Sequence, residues 1–274
     1  MEYLILFFIF LFGASVGSFL NVVIDRLIQE ENLSGRSHCD FCHHKLSWYD
    51  LLPILSFFIL KGRCRYCQKK LSWQYPVVEL ATGIIYVLIF NFQFSVFKKF
   101  SILNFQTFLN LDFLRLLIFW GIFSCFIIIF VSDFKYHLVS DYVFWALFGF
   151  VFLDKIITVI PAKAGIQIIS SIVSSLIVAL PIFLIYFISR ERAMGFGDVI
   201  LSAIIGFLLG WQKGFLALYI AFVVGGIYGI ILIFLQLKKL KSKIAFGPFI
   251  IIGVVLMLVY GDKILEMVKK YYGI

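Results

Sequence analysis

Long apolar runs broken by short polar connections dominate the chain, and they predict helices that cross a membrane. Eight runs stand out: 3–24, 76–97, 113–131, 142–160, 166–188, 193–211, 215–234 and 246–260. A helix rises about 1.5 Å per residue, so roughly 20 apolar residues match the hydrocarbon core of a bilayer. The sixth run is the shortest, because its uninterrupted apolar part is only 199–211. It must begin upstream, which carries Asp198 toward the membrane. The first run lacks a basic flank and is long enough to span, so it reads as a retained helix and not a cleavable signal. The segment Ile160-Pro-Ala-Lys-Ala-Gly165 reads as a tight turn. No internal repeat is evident.

The predicted fold is therefore an all-α polytopic membrane protein of about eight transmembrane helices. One polar region, 25–75, is large enough to be a small domain of its own. The expected organisation is a first transmembrane helix over 1–24, a tetracysteine zinc-binding domain over 25–75, and a seven-helix membrane core over 76–274. Composition agrees: 62% of the 274 residues are hydrophobic and 14% charged. A soluble domain carries about 45–50% and about 25%, so the lipid bilayer is this chain's first partner.

The net charge of +9 is a topological bias and not a nucleic-acid footprint, because Lys and Arg gather in cytoplasmic loops. With 25–75 cytoplasmic and the N-terminus outside, 15 of the 24 basic residues fall on the cytoplasmic side. They include eight in that loop, then Lys135, Arg190, Arg192, Lys238, Lys239, Lys241 and Lys243.

Four of the five cysteines lie in the polar loop as Cys39-Asp-Phe-Cys42 and Cys64-Arg-Tyr-Cys67. Two such pairs suit a tetrahedral Zn2+, each supplying two thiolates at about 2.3 Å. A reducing cytoplasm argues against disulfides. Four protein ligands close the coordination shell, so the metal is structural. His38, His43 and His44 read as neighbours, and Cys125, inside an apolar run, as a packing residue.

Carboxylates at membrane depth are functional candidates, and two matter. Asp133 closes the third run; Asp198 ends Gly195-Phe-Gly-Asp198. Two crossings separate them, which returns the chain to the same face. Two carboxylates sharing a low-dielectric site cannot both ionise easily. One can then activate a water while its protonated partner polarises a carbonyl, which is the requirement of aspartyl peptide hydrolysis. The flanking glycines would let a substrate strand approach Asp198. Asp141 reads as a helix start, and Asp25 beside Arg26 as an interfacial ion pair.

These motifs together resemble the bacterial type IV prepilin peptidases, the leader peptidase/N-methyltransferases of type IV pilus and type II secretion systems. The resemblance runs through Gly17-Ser-Phe-Leu-Asn21, Arg26, the cysteine loop, Leu52-Pro-Ile-Leu-Ser56, Gly62-Arg-Cys-Arg65 and Tyr75-Pro-Val-Val-Glu79. It continues through the Asp133 segment, Gly195-Phe-Gly-Asp198 and Phe246-Gly-Pro-Phe249. It implies that Asp133 and Asp198 are catalytic, and that Cys39, Cys42, Cys64 and Cys67 hold zinc. It also implies an inner-membrane enzyme that cleaves prepilins and pseudopilins after a glycine. S-adenosyl-L-methionine would then methylate the new N-terminus. Two positions depart from the family pattern: Asp40 replaces a proline, and Val139-Ser-Asp141 replaces Leu/Ile-Pro-Asp. No glycine-rich adenosyl-binding loop is present, so methyl transfer is implied by the resemblance alone and its donor site is unassigned. Two other readings compete. Gly13-Ala-Ser15-Val-Gly17 matches a serine-hydrolase elbow, but Ser15 falls within an apolar helix rather than a strand-to-helix turn, and the glycines suit close helix packing. A transporter or assembly scaffold with a zinc module would use the aspartates only for ions or neighbouring cations.

Overall fold

The computed structural model describes residues 2–33, 35–100, 105–159, 164–192, 194–237 and 244–272. Among them the regular structure is helical, apart from two isolated antiparallel bridges in the polar loop. Helix α1 spans Glu2–Ile28. A 3-10 turn, Trp48–Leu51, and the short α2, Leu55–Ile59, lie in the loop. Seven further helices follow: α3 (Gln74–Phe100), α4 (Phe105–Tyr136), α5 (Asp141–Val159), α6 (Ala164–Ser189), α7 (Phe196–Leu209), α8 (Trp211–Phe234) and α9 (Gly247–Tyr272).

A helix stands at each of the eight expected positions, and among the described residues six are long and apolar enough to span by themselves: α1, α3, α4, α6, α8 and α9. The count of eight is thus approximate. Helix α5 falls short because Asp141, Asp154 and Lys155 interrupt its nineteen residues. Helix α7 has fourteen residues, about 21 Å of rise against about 30 Å of hydrocarbon. The expected turn at 160–165 falls, through residue 163, outside the described residues, as do Ala193 and Lys238, Lys239, Lys241 and Lys243.

The chain divides into two compact units, Met1–Ile128 and Ile129–Ile274. In the first, α1 packs along α3 at close range. A methyl group on Gly13 would lie 2.9 Å from the Gly83 Cα, and one on Gly17 would lie 2.8 Å from the Glu79 Cα. Both distances forbid a side chain, which explains the small residues the sequence places there. Further along, the rings of Tyr86 and Trp120 stack at 4.7 Å. The Trp120 indole N–H donates to the Tyr86 carbonyl at 3.3 Å, and the Tyr86 hydroxyl pairs with Ser124 at 2.8 Å. Polar ring atoms are thereby satisfied where water is absent. Cys125, the residue after Ser124 in α4, is buried, consistent with a packing role.

The second unit uses the same device. A methyl group on Gly206 of α7 would sit 2.6 Å from the Ser174 carbonyl oxygen of α6, and Gly253 of α9 faces the Ala217 carbonyl of α8 with no room for one. Phe148 of α5 meets Phe207 of α7 at 5.8 Å. These contacts fix α7, and with it the end that carries Asp198.

Candidate active site and metal centre

In the second unit the two aspartates occupy helix ends. Asp133 lies one turn before the end of α4, and its Oδ2 accepts the Gly247 N–H at 2.9 Å. Gly247 is the first residue of α9, so its amide is one of those that a helix leaves without an internal partner. The fit is tight: a methyl group at Gly247 would come within 2.7 Å of the Asp133 Oδ2. Only glycine lets the α9 terminus approach so closely.

Asp198 is the third residue of α7, and its Oδ2 accepts the Gly195 N–H at 3.2 Å. This is half of a capping box, since glycine has no side chain to complete the other half. The Ser202 hydroxyl donates to the Asp198 carbonyl at 2.7 Å. The two carboxylates lie within electrostatic range of each other. The space around Gly195 is open: a methyl group there would have its nearest neighbours at 3.9 Å or more. Phe196 is exposed and packs on Tyr186 at 5.6 Å. The glycines flanking Phe196 therefore leave Asp198 approachable from one side.

Sequence reasoning named both aspartates but missed Gly247. Phe246-Gly-Pro-Phe249 was visible as a motif, yet nothing in its spacing connects it to a carboxylate 114 residues away. Asp141 opens α5. His137 follows α4 with a left-handed backbone, and its N–H donates to the Asp133 carbonyl at 2.9 Å. Ser15 does not emerge at a turn: its hydroxyl donates to the Leu11 carbonyl, one turn back in the same helix, at 2.9 Å.

In the first unit the sulfurs of Cys39, Cys42, Cys64 and Cys67 all lie within 4.8 Å of one another. The Cys39 and Cys67 sulfurs are 3.8 Å apart. Tetrahedral zinc with bonds of about 2.3 Å requires about 3.8 Å between sulfurs, so the donor set suits that metal. Among the described residues none of the histidines joins the cluster. His44 stacks on Tyr66 at 3.8 Å, and His38 meets His43 at 5.6 Å.

The cluster is built from an internal repeat that the sequence did not reveal. His43 N–H donates to the Cys39 carbonyl and Gln68 N–H to the Cys64 carbonyl; Cys39 N–H donates to His44 and Cys64 N–H to Lys69. Bridges join His38 with Lys45 and Arg63 with Lys70. Leu46 N–H reaches Ser37 and Leu71 N–H reaches Gly62. His43 and Gln68 both adopt positive φ, 54° and 59°. Each of these contacts in the first knuckle thus recurs in the second at the same offset, and the turn geometry delivers both sulfurs of each pair to one point. Burial pushes the Cys39 thiol up. Burial also opposes the Cys64 thiolate, but the Cys67 and Tyr66 amides and the neighbouring thiols outweigh it and bring Cys64 down to about 7. A thiol poised there is a ready metal ligand.

The loop is tied back to the membrane helices by buried polar groups. Glu79 of α3 accepts the Ile54 N–H at 2.7 Å, fixing a tight turn in which Ile54 has φ 63° and Leu55 N–H reaches the Pro53 carbonyl. The Arg26 guanidinium donates to the carbonyls of Asn32, Leu33 and Arg36, whereas Asp25 accepts the Tyr75 hydroxyl at 3.1 Å. These bonds order the loop's first turn.

Two family models match: the Bacterial Peptidase A24 N-terminal domain over residues 11–93, and the Type IV leader peptidase family over residues 120–230. No solved structure matches the chain. Among curated proteins, a prepilin leader peptidase/N-methyltransferase of Aeromonas hydrophila is 30% identical over 93% of this chain and 91% of its own length. Proteins of the same name from Bacillus subtilis (strain 168) and Pseudomonas aeruginosa are 27% and 25% identical, each over 96% of this chain. The first model covers the tetracysteine loop and the second both aspartates, so the similarity falls on the two constellations described above, and the chain belongs to the prepilin leader peptidase/N-methyltransferase family.

Proposed function

We propose that this protein cleaves the leader peptides of prepilins and pseudopilins with Asp133 and Asp198, on the cytoplasmic face of the bacterial inner membrane. The observation that carries this reading is the convergence of the two carboxylates, each held by a glycine amide at a helix N-terminus. One carboxylate, ionised, takes a proton from a water whose oxygen attacks the scissile carbonyl carbon. The other, protonated, donates to the carbonyl oxygen. Collapse of the tetrahedral intermediate then breaks the C–N bond, and the leaving amine takes up a proton. Residues 25–75 form a zinc-binding module in which Cys39, Cys42, Cys64 and Cys67 hold Zn2+. The metal supplies folding energy there and no step of hydrolysis. The N-methyltransferase name of the relatives extends to this chain as methylation of the newly exposed amine by S-adenosylmethionine.

The test incubates purified protein with a prepilin carrying its own membrane helix. Asp133→Asn and Asp198→Asn should each lose cleavage by at least about a thousandfold, as expected when a group acting in the transition state is removed. Ser15→Ala should cleave at the parental rate. Full cleavage by either aspartate variant refutes the assignment. Mass spectrometry of the mature pilin should show one added methyl group only when the donor is supplied.

A further inference from the structure

Helix α2 is too short to hide its own apolar residues, and it buries them on one face alone. Phe57 is 7% exposed, and its ring stands 5.0 Å from that of Trp73. The chain then turns back over it at Gly62, where φ is 66° and a methyl group would lie 3.1 Å from the Phe57 ring. Leu55, Phe58 and Ile59 recur at the three- and four-residue spacing that shares a helix face. They point away from that packing and are 59%, 59% and 70% exposed. The 3-10 turn adjoins α2 and adds Trp48, also exposed. An apolar patch of this kind marks a surface that something apolar covers.

The depth at which α2 is held decides what meets that face. The Glu79 carboxylate accepts the Ile54 N–H at 2.7 Å, and Ile54 directly precedes α2. Glu79 lies five residues after Gln74, where the α3 span begins, and so about 7.5 Å along the helix. Gly17 of α1 packs at the same level, where a methyl group would meet the Glu79 Cα at 2.8 Å. The start of α2 is thus fixed beside two membrane helices, more than a turn inside the polar end of α3. Interfacial segments bury their apolar side chains about 5–10 Å into the boundary between headgroups and acyl chains. The bond at Glu79 sets α2 at that depth. Trp73, exposed just before α3, marks the same boundary, where indole rings gather. Basic residues follow the apolar face directly. Lys61 turns the chain with a φ of 52°, and both Lys61 and Arg63 are exposed. Cations beside a buried apolar face reach the level of the lipid phosphates.

We propose that α2 is an interfacial anchor that binds anionic lipid. Leu55, Phe58 and Ile59 enter the acyl boundary of the membrane that α1 and α3 cross, and Lys61 and Arg63 hold the phosphates. A soluble partner does not reach a face at this depth. Cys64 follows Arg63, so the lipid contact also orients the second zinc knuckle against the bilayer. The anchor rests on the spans of α1 and α3 and is independent of the hydrolytic reading.

The experiment reconstitutes the full chain in vesicles of phosphatidylcholine and phosphatidylglycerol, with benzoylphenylalanine in place of Ile59, and identifies the photoproducts by mass spectrometry. The same probe in place of Phe8, exposed on α1, is the lipid-facing control. The Ile59 probe should yield lipid adducts at a level comparable to the control, enriched in phosphatidylglycerol. Lys61→Gln together with Arg63→Gln should reduce that enrichment about fivefold, within the reach of two surface cations, and leave the control's product ratio unchanged. A probe in place of Leu55 reads the same face should the Ile59 variant fail to fold. Lipid adducts at the control but at neither Ile59 nor Leu55 overturn the anchor. So does crosslinking to added prepilin in place of lipid, which would make this face a substrate dock. Enrichment that survives the double substitution overturns the assignment of Lys61 and Arg63.

Discussion

A carboxylate at the end of a membrane helix needs a donor that its own helix cannot supply, because the backbone amides there are already bonded within the helix. Asp133 finds one in Gly247, whose amide is free for it only because α9 begins there. The arrangement leaves no room for a methyl group, which would stand 2.7 Å from the carboxylate oxygen. Gly247→Ala should therefore displace Asp133 without touching its chemistry. The expected result is a fall in kcat of about tenfold or more with zinc content and prepilin binding unchanged. Prepilin cleavage kinetics beside metal analysis check it, and parental kinetics would show that the contact does not position the carboxylate. The aspartates themselves were legible in the sequence, because ionisable groups at membrane depth are rare. Gly247 was not, since a glycine announces a backbone need without saying which distant group creates it.

The same limit explains what was and was not readable in the helices and knuckles. Apolar run length located a helix at all eight positions, but it did not show that α5 carries charges within its length or that α7 is as short as fourteen residues. The cysteine spacing announced a metal site. Its internal repeat stayed hidden because the equivalence lies in backbone bonds and positive φ at His43 and Gln68, which unlike side chains can share. Two knuckles that share one centre should unfold together. Removing the metal with a chelator should expose Cys39, Cys42, Cys64 and Cys67 to thiol reagents simultaneously, whereas Cys125, buried in α4, should stay protected. Structural zinc supplies about 10–16 kcal/mol in small zinc modules, far more than a loop of this size can replace. Cys42→Ser alone should thus lose the metal from both knuckles. Stoichiometric zinc in that variant, measured by elemental analysis, would break the four-ligand reading.

For the chain as a whole, the question is which connections share a side of the membrane. Asp133 and Asp198 share a face only if α5 and α6 both cross. Their nineteen and twenty-six residues give about 28 and 39 Å of rise, enough for the hydrocarbon core despite the charges in α5. Helix α7 is the exception at about 21 Å, and whether it completes a crossing decides where everything after it lies. The bias of basic residues toward one set of connections favours a cytoplasmic 25–75 loop and, with α7 crossing, an external C-terminus. An epitope after His137 should then be reached by protease only from the cytoplasmic side, and one after Ile274 only from outside. A cytoplasmic tag at Ile274 together with a cytoplasmic tag after His137 would make α7 a re-entrant segment. The aspartates would still share a face, because the crossings that join them precede α7. A tag after His137 cleaved from outside would instead place Asp133 away from the cytoplasm and remove the topological basis for cleavage there.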